Sequence, residues 1–375
     1  MALDLRRRDF ITGLAAASAA CLMSGGPGKA FAGQVTEYTG EGVEIPSRPR
    51  RLLLGDGHLL LALALVHPDP VSLLAGWQGD LIRHSPAIFD AYRKRSPDLA
   101  KVPVVGQASA DSFSVEAAIA TKPDLAILAG CYGPGKRTPQ IVARLQAAGI
   151  PVLFVDFWVD PIRNTAPSIR ALGQALGGES VDRAEAFADF HESRLTHISQ
   201  RLKSVTTRPK VLIDMHPGAW SCCWVPGTAG FGHFISVAGG ENVTASLSQL
   251  PWIQASREYV LSNEPDVFVA TGGPYMRGQG GPVLGEGVGI EEARRTLKQA
   301  VDNSGLKTLK PVRDGRVSAF WHLFQDTPMN VVAVESLARA IHPDVFSDID
   351  PAATMSEINR RFFAVPLEGC YTIAL

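Results

Sequence analysis

Short apolar runs alternate along the chain with segments that keep helical spacing. In the first half, Arg51–Gly55, Val71–Ala75, Val102–Val105, Leu125–Ala129 and Val152–Val155 read as buried strands. Gln140–Ala148, closed by Gly149, reads as a helix between the last two. In the second half, Lys210–Met215, Val267–Ala270 and Val317–Phe320 read as strands. Strands of continuous apolar character alternating with helices predict parallel sheets covered on both faces. Between the halves, Ser180–Val205 lacks Gly and Pro, and Ala184, Phe187, Phe190, Leu195, Ile198 and Leu202 hold helical spacing. Such a helix spans about 35–40 Å, a domain diameter. The expected fold is α/β: two Rossmann-like lobes with parallel sheets, joined by one long backbone helix, with a ligand cleft between them.

An internal repeat supports two similar lobes. Ser114, Glu116, Pro123, Asp124 and Gly130 recur as Ser256, Glu258, Pro265, Asp266 and Gly272 at a constant offset of 142 residues. In each block Ser caps a short helix and Glu lies in its first turn, where the helix dipole favours negative charge. Pro-Asp ends the helix and starts a strand. Solenoid repeats recur every 20–50 residues or so, so this longer spacing implies a duplicated lobe.

Composition narrows the class. The 375 residues include 36 Lys+Arg and 37 Asp+Glu, for a net charge of −1, and 46% are hydrophobic. Disorder and nucleic-acid binding are excluded by the apolar content and by the lack of basic excess. Arg7-Arg8-Asp9-Phe10, an Ala-rich run and Ala30-Phe31-Ala32 fit a twin-arginine signal cleaved after Ala32. That implies a periplasmic protein, with lipid anchoring at Cys21 ranked second. The apolar stretch from Leu52 to Val66 is 15 residues long and carries Asp56 and His58, and a membrane span needs about 20 residues. The expected organisation is a signal peptide over 1–32, an N-terminal lobe over 33–160, a linker and bridging helix over 161–205, and a C-terminal lobe over 206–375. Cys131, Cys222, Cys223 and Cys370 remain after cleavage, and their pairing stays open.

Ligands of parallel α/β sheets sit beyond the carboxyl ends of the strands. In the first lobe those loops carry Asp56, His58, Trp77, Arg83, Tyr132, Lys136, Arg137 and Trp158. In the second they carry His216, Trp220, Trp224, Tyr275, Arg277, Trp321 and His322. Trp77, Arg83, Tyr132, Trp158, Trp220, Trp224, Tyr275, Arg277, Trp321 and His322 are the expected ligand contacts. Aromatic rings offer broad stiff contact area, and Arg or Lys pair with anionic oxygens. This mixture suits a bulky chelate of mixed polarity. His58, His216 and His322 are weaker candidates for direct metal ligation, and no resident metal or covalent cofactor is expected. The Gly-rich segment from Gly272 to Gly289 reads as a mobile flap or a solvated insertion. No G-x-S-x-G, H-E-x-x-H or P-loop motif is present, so no catalytic residue is assigned.

Several pieces in order carry a family resemblance. They are Arg48-Pro-Arg-Arg-Leu, Val115-Glu-Ala followed by Lys122-Pro-Asp, Leu145-Gln-Ala-Ala-Gly-Ile-Pro-Val, Ala238-Gly-Gly-Glu-Asn, Pro251-Trp252, and Ser256-Arg-Glu with Glu264-Pro-Asp. From about Val43 to Phe363 the chain resembles the periplasmic binding proteins of ABC importers for iron–siderophore complexes and vitamin B12. The resemblance implies two lobes on one long helix, a monomer, and capture of a ferric siderophore for delivery to a membrane permease and its ATPase. A cobalamin or haem carrier, or an exported metalloenzyme, are the alternatives. The resemblance also implies that one acidic residue per lobe docks onto permease arginines, by motif position Glu116 and Glu258. Two like charges at matched points of two lobes suit a partner with matched basic residues.

Overall fold

The computed structural model describes residues 31–107, 111–129 and 138–375. Of the expected signal segment, residues 1–30 lie outside the described residues, and Phe31 and Ala32 begin a strand, Phe31–Thr36, paired antiparallel with Gly42–Pro46. Tyr132, Lys136, Arg137 and Cys131 also lie outside the described residues.

Two five-stranded sheets form the two lobes. The first runs in spatial order Val104–Gly106, Leu74–Gln78, Leu52–Leu54, Leu125–Ala129, Val152–Val155, all parallel. The second runs Glu241–Asn242, Lys210–Met215, Val267–Gly272, Val317–Trp321, Thr372–Ala374, parallel except for the last strand. The fold class is therefore the α/β class read from the sequence. The strand expected at Val71–Ala75 starts later, at Leu74, because Pro70 opens a 3-10 turn over Pro70–Leu73. The apolar stretch after Leu52 divides into a strand and a helix, Leu59–Val66, buried at every position. No helix among the described residues is long and apolar enough to cross a membrane.

The repeated blocks fall in different sheets and do the same local work. Ser114 accepts from the Ala117 amide at 3.2 Å, and Ser256 from the Tyr259 amide at 3.1 Å. Each caps a six-residue helix, Val115–Ala120 and Arg257–Ser262. Lys122 and Glu264, just before each Pro-Asp, both take positive φ, 51° and 45°. Asp124 then accepts from the amides of Arg50 and Arg51 at 2.8 and 3.0 Å, and Asp266 from that of Lys210 at 2.9 Å. Each carboxylate thereby ties the start of its own strand to the start of the neighbouring one.

The long helix is Glu179–Leu202, 24 residues. A second helix, Pro161–Leu176, doubles back along it through Gly177 and Gly178, both at positive φ. Gly173 lets the two approach, since a Cβ there would collide with Ala184 and Ser180. Arg170 grips Glu185, Asp189 and Glu192 on successive turns. The long helix is held to the second lobe by His191 Nε2, 2.8 Å from Asn330 Oδ1, and by Arg194, paired with Glu335 and Glu357. Asn330 in turn donates to Thr165 Oγ1 at 2.7 Å, so a buried polar chain links both helices to the second lobe.

Candidate functional site

The carboxyl ends of the strands in both sheets carry two adjoining groups of side chains. The first group is aromatic. Trp158, Met215, Trp220, Trp224, Trp252, His322 and Gln325 line a cavity of about 520 Å³. Trp224 lies edge-on to Trp220 at 6.0 Å and tilts against Trp252 at 5.4 Å. Trp220 and Trp252 remain 46% and 49% exposed, so about half of each indole surface is free for contact. Trp158 comes from the first-lobe side on a loop organised by Asp156. That buried carboxylate accepts from the amides of Trp158, Val159 and Asp160 and from Asn164. Trp224 is held by the short antiparallel pair Trp224–Val225 and Ile253–Gln254, which also brings Trp252 to the wall.

The second group is titratable. His58 follows the strand Leu52–Leu54, and its Nδ1 donates to Asp80 Oδ2 at 2.8 Å. Asp56 lies 3.5 Å from the same nitrogen, and Ser85 Oγ lies 3.2 Å from His58 Nε2. Gly57 permits this packing, because a Cβ there would stand 2.7 Å from the Gln78 carbonyl. Burial opposes charge on His58, but hydrogen bonds and charge from Asp56 and Asp80 outweigh it and push the imidazole up to about 10. Burial and the charge of Asp80 lift Asp56 to about 6.

Across the cleft, His216 Nε2 meets the Tyr275 hydroxyl at 2.7 Å. The His216 ring lies 4.1 Å from Trp220 and 4.3 Å from His322. Gln325 donates to His322 Nε2 at 3.0 Å, leaving Nδ1 to donate to Thr271 Oγ1 at 2.8 Å. Tyr275 also touches His84 of the first lobe. Burial holds His216 down at about 3 and His84 at about 4, and takes His322 well below its usual value. These three imidazoles are neutral at pH 7. Asp326 is lifted to about 8 by burial and by the charge of Asp56.

Ser85, His58 and Asp80 stand in the order of a nucleophile, base and acid, but cannot act as one. Ser85 is fully buried, out of reach of a substrate carbonyl.

The structure redistributes the residues expected from the sequence. Trp158, Trp220, Trp224 and His322 share the aromatic cavity, with Tyr275 one contact away through His216. Trp77 and Trp321 do not reach it: both are fully buried, Trp77 against Phe89 and Trp321 between Phe324 and Tyr371. They sit within or at the last position of a central strand, where a large apolar ring packs into the core. Arg277, about half exposed, pairs its guanidinium with Glu292 at 2.9 and 3.0 Å. Arg83 is exposed beside His84. His58, His216 and His322 do not converge: His58 is committed to the aspartates, while the other two pack together. Cys222 and Cys223 are bonded to each other, and Cys370 is a buried free thiol. The Gly272–Gly289 segment is neither flap nor solvated insertion. Val283, Leu284 and Val288 are buried, and Gly285–Glu286 pairs with Gly369–Cys370.

Asp80, His84, Ser85, Asp156, Trp252, Gln325 and Asp326 were not singled out from the sequence as ligand contacts. Gly79-Asp80 directly after a strand was a usable signal for Asp80, and Asp156 after Val152–Val155 likewise; the others needed the folded loops.

A family model described as periplasmic binding protein matches residues 63–318. A vitamin B12-binding protein of Photorhabdus laumondii is 29% identical over 185 residues, 49% of this chain and 62% of its own length. One from Yersinia pestis is 31% identical over 167 residues, 44% of this chain and 55% of its own. The chain thus spans little more than half the length of the curated relatives it matches. A TroA-like periplasmic binding protein, FepB of Veillonella parvula, has a TM-score of 0.80 at 23% identity, covering 92% of this chain and 99% of its own, which speaks for the fold. The family is one of binding proteins, which sets the exported-enzyme alternative aside. With two matched lobes, a cleft lined from both and a family match over most of its length, the chain belongs to the periplasmic binding protein family.

Proposed function

We propose that this protein captures a bulky metal chelate in the periplasm and hands it to an ABC permease with its ATPase, and that the chelate is a corrinoid or related tetrapyrrole. The observation that carries this reading is the tryptophan-lined cavity with its neutral rim. Four indoles and Met215 offer apolar contact, and His216 and His322 add uncharged nitrogen. A flat macrocycle gains from stacking on such walls. The ferric siderophore first expected from the sequence leaned on arginines beside the aromatics. Arg277 is instead paired with Glu292, so a strongly anionic chelate finds less to bind. The names of the vitamin B12-binding relatives support the same choice. Glu116 and Glu258, each exposed in the first turn of its capped helix, are proposed to face basic residues of the permease. Glu116 now holds Arg144 at 2.6 Å, a surface pair that a stronger basic partner can replace.

Titration of the purified protein with cyanocobalamin, haemin and a ferric catecholate, followed by calorimetry and absorbance, tests the ligand. Tight binding of the corrinoid or the porphyrin is expected. Binding of the ferric catecholate alone would overturn the choice.

A further inference from the structure

The tryptophan wall is built on a short link of chain whose backbone has little support of its own. Trp220 ends a turn after the strand Lys210–Met215, where its amide donates to the His216 carbonyl at 3.2 Å. Trp224 opens the next strand pair: its amide donates to the buried Asp214 carboxyl, and Gln254 stands opposite it. Cys223 extends that ladder, exchanging backbone bonds with Ala255 at 3.1 and 2.9 Å. Ser221 and Cys222 lie between these anchors, and among the described residues neither makes a backbone hydrogen bond. What holds them is an exposed bond from Gln254 to Ser221 Oγ at 3.0 Å and the disulfide between Cys222 and Cys223.

A bond between the side chains of neighbouring residues closes a ring through the peptide unit that joins them, so the backbone there loses rotational freedom. Such a ring adds little to overall stability, because the loop it closes in the unfolded chain is the shortest available. Its effect is local, and here the link carries an indole at each end. Trp220 and Trp224 stand edge-on at 6.0 Å, and both line the cavity. Trp224 is fixed by its ladder and by Trp252 at 5.4 Å. Trp220 is 46% exposed, so rotation in the link would swing Trp220 away from its partner.

We propose that the Cys222–Cys223 disulfide is the positioning element of the tryptophan wall, holding Trp220 in place against Trp224, and that its reduction by a dithiol loosens the wall and releases the solute. The proposal rests on the reading that the solute occupies this cavity. Cys222 is half-buried and Cys223 buried, so the Cys222 sulfur is the one a reductant meets. A thiolate of the dithiol bonds to that sulfur as the S–S bond breaks, and Cys223 leaves as a thiolate and takes up a proton. The second thiol of the reductant, giving up its proton, then displaces Cys222, which leaves and is protonated in turn, and the reductant ends as its own disulfide.

The test compares the purified full chain, oxidised, with the same chain treated with dithiothreitol and desalted under nitrogen, its thiol content checked by alkylation and intact mass. The first readout needs no solute. The tryptophan bands of the near-ultraviolet circular dichroism should weaken on reduction, and this change should be largely absent in Trp220→Phe. The second is calorimetric titration with whichever of cyanocobalamin and haemin the oxidised protein binds. Affinity should fall about tenfold on reduction, the low end of what losing a buried aromatic anchor costs, and should return after reoxidation with oxidised glutathione. Cys222→Ser with Cys223→Ser should match the reduced protein in both readouts, ignore dithiothreitol, and melt close to the parent. An unchanged tryptophan spectrum, or an unchanged affinity, in the reduced protein and in the double variant would overturn the positioning role. If the oxidised protein binds neither cyanocobalamin nor haemin, the corrinoid reading falls and the spectrum alone decides on the disulfide.

Discussion

The ring of His84 lies 5.4 Å from that of Tyr275, and this pair joins the first lobe to the second at the cleft. Both groups are held neutral by burial, the imidazole at about 4 and the phenol well above its usual value. His216, hydrogen-bonded to the same phenol, is held neutral as well, at about 3. Each histidine has a folded pKa below its unfolded value of about 6.5, so the unfolded chain binds more protons in the window between. Their contribution is whole above pH 6.5 and is lost as pH falls, toward 4 for His84 and toward 3 for His216. Urea denaturation should therefore show stability falling steadily as pH drops below 6.5, with both groups contributing. The variant His84→Gln with His216→Gln should flatten that part of the profile. An unchanged slope would mean that neither imidazole is buried as described.

The aromatic wall and the aromatic core should separate cleanly by mutation. Trp224→Ala and Trp220→Ala remove contact surface from the cavity, and each should weaken solute binding about 10- to 100-fold, the range of a buried aromatic anchor. Trp77→Phe and Trp321→Phe alter only the packed interior. They should leave the dissociation constant alone and cost about 1–3 kcal/mol of stability, as core volume changes do. Fluorescence quenching for affinity and chemical denaturation for stability read the two effects independently.

The repeated aspartates predict a matched pair of defects. Asp124→Ala strands the amides of Arg50 and Arg51, and Asp266→Ala that of Lys210. Loss of a charged acceptor for backbone N–H groups costs about 1–3 kcal/mol. Each variant should be destabilised by that order, with hydrogen exchange quickened mainly in its own lobe and solute affinity nearly kept. Exchange spread evenly over both lobes would contradict the assignment.

Charge reversal at Glu116 and Glu258 should act on transport alone. Both lie at the surface, and neither lines the cavity. Glu116→Arg with Glu258→Arg should abolish uptake in cells and permease capture in detergent, with solute affinity unchanged. Normal uptake would remove the docking proposal.

Much of the architecture was legible in the residue pattern. Alternation of apolar runs with helical segments, the 142-residue repeat and the Gly- and Pro-free stretch after Ser180 together led to two parallel sheets and the helix Glu179–Leu202. These features are local or periodic, and burial of one face or one run is enough to impose them. The ends of short strands were less secure, because a single proline, as at Pro70, shifts them by a turn.

The site depended on the tertiary structure. Sequence order placed Trp77 and Trp321 beside Trp158 and Trp224 as equals, since all four stand near strand ends. Only the packing of Phe89, Phe324 and Tyr371 around two of them decided which indoles became core and which became wall. Likewise, Asp56 and Asp80, which both bond His58, are 24 residues apart, and nothing periodic connects them. Their meeting is set by the return of two separate segments to one place beside His58. Charge and burial at a point in space are sums over neighbours from the whole fold, and no run of adjacent residues encodes such a sum.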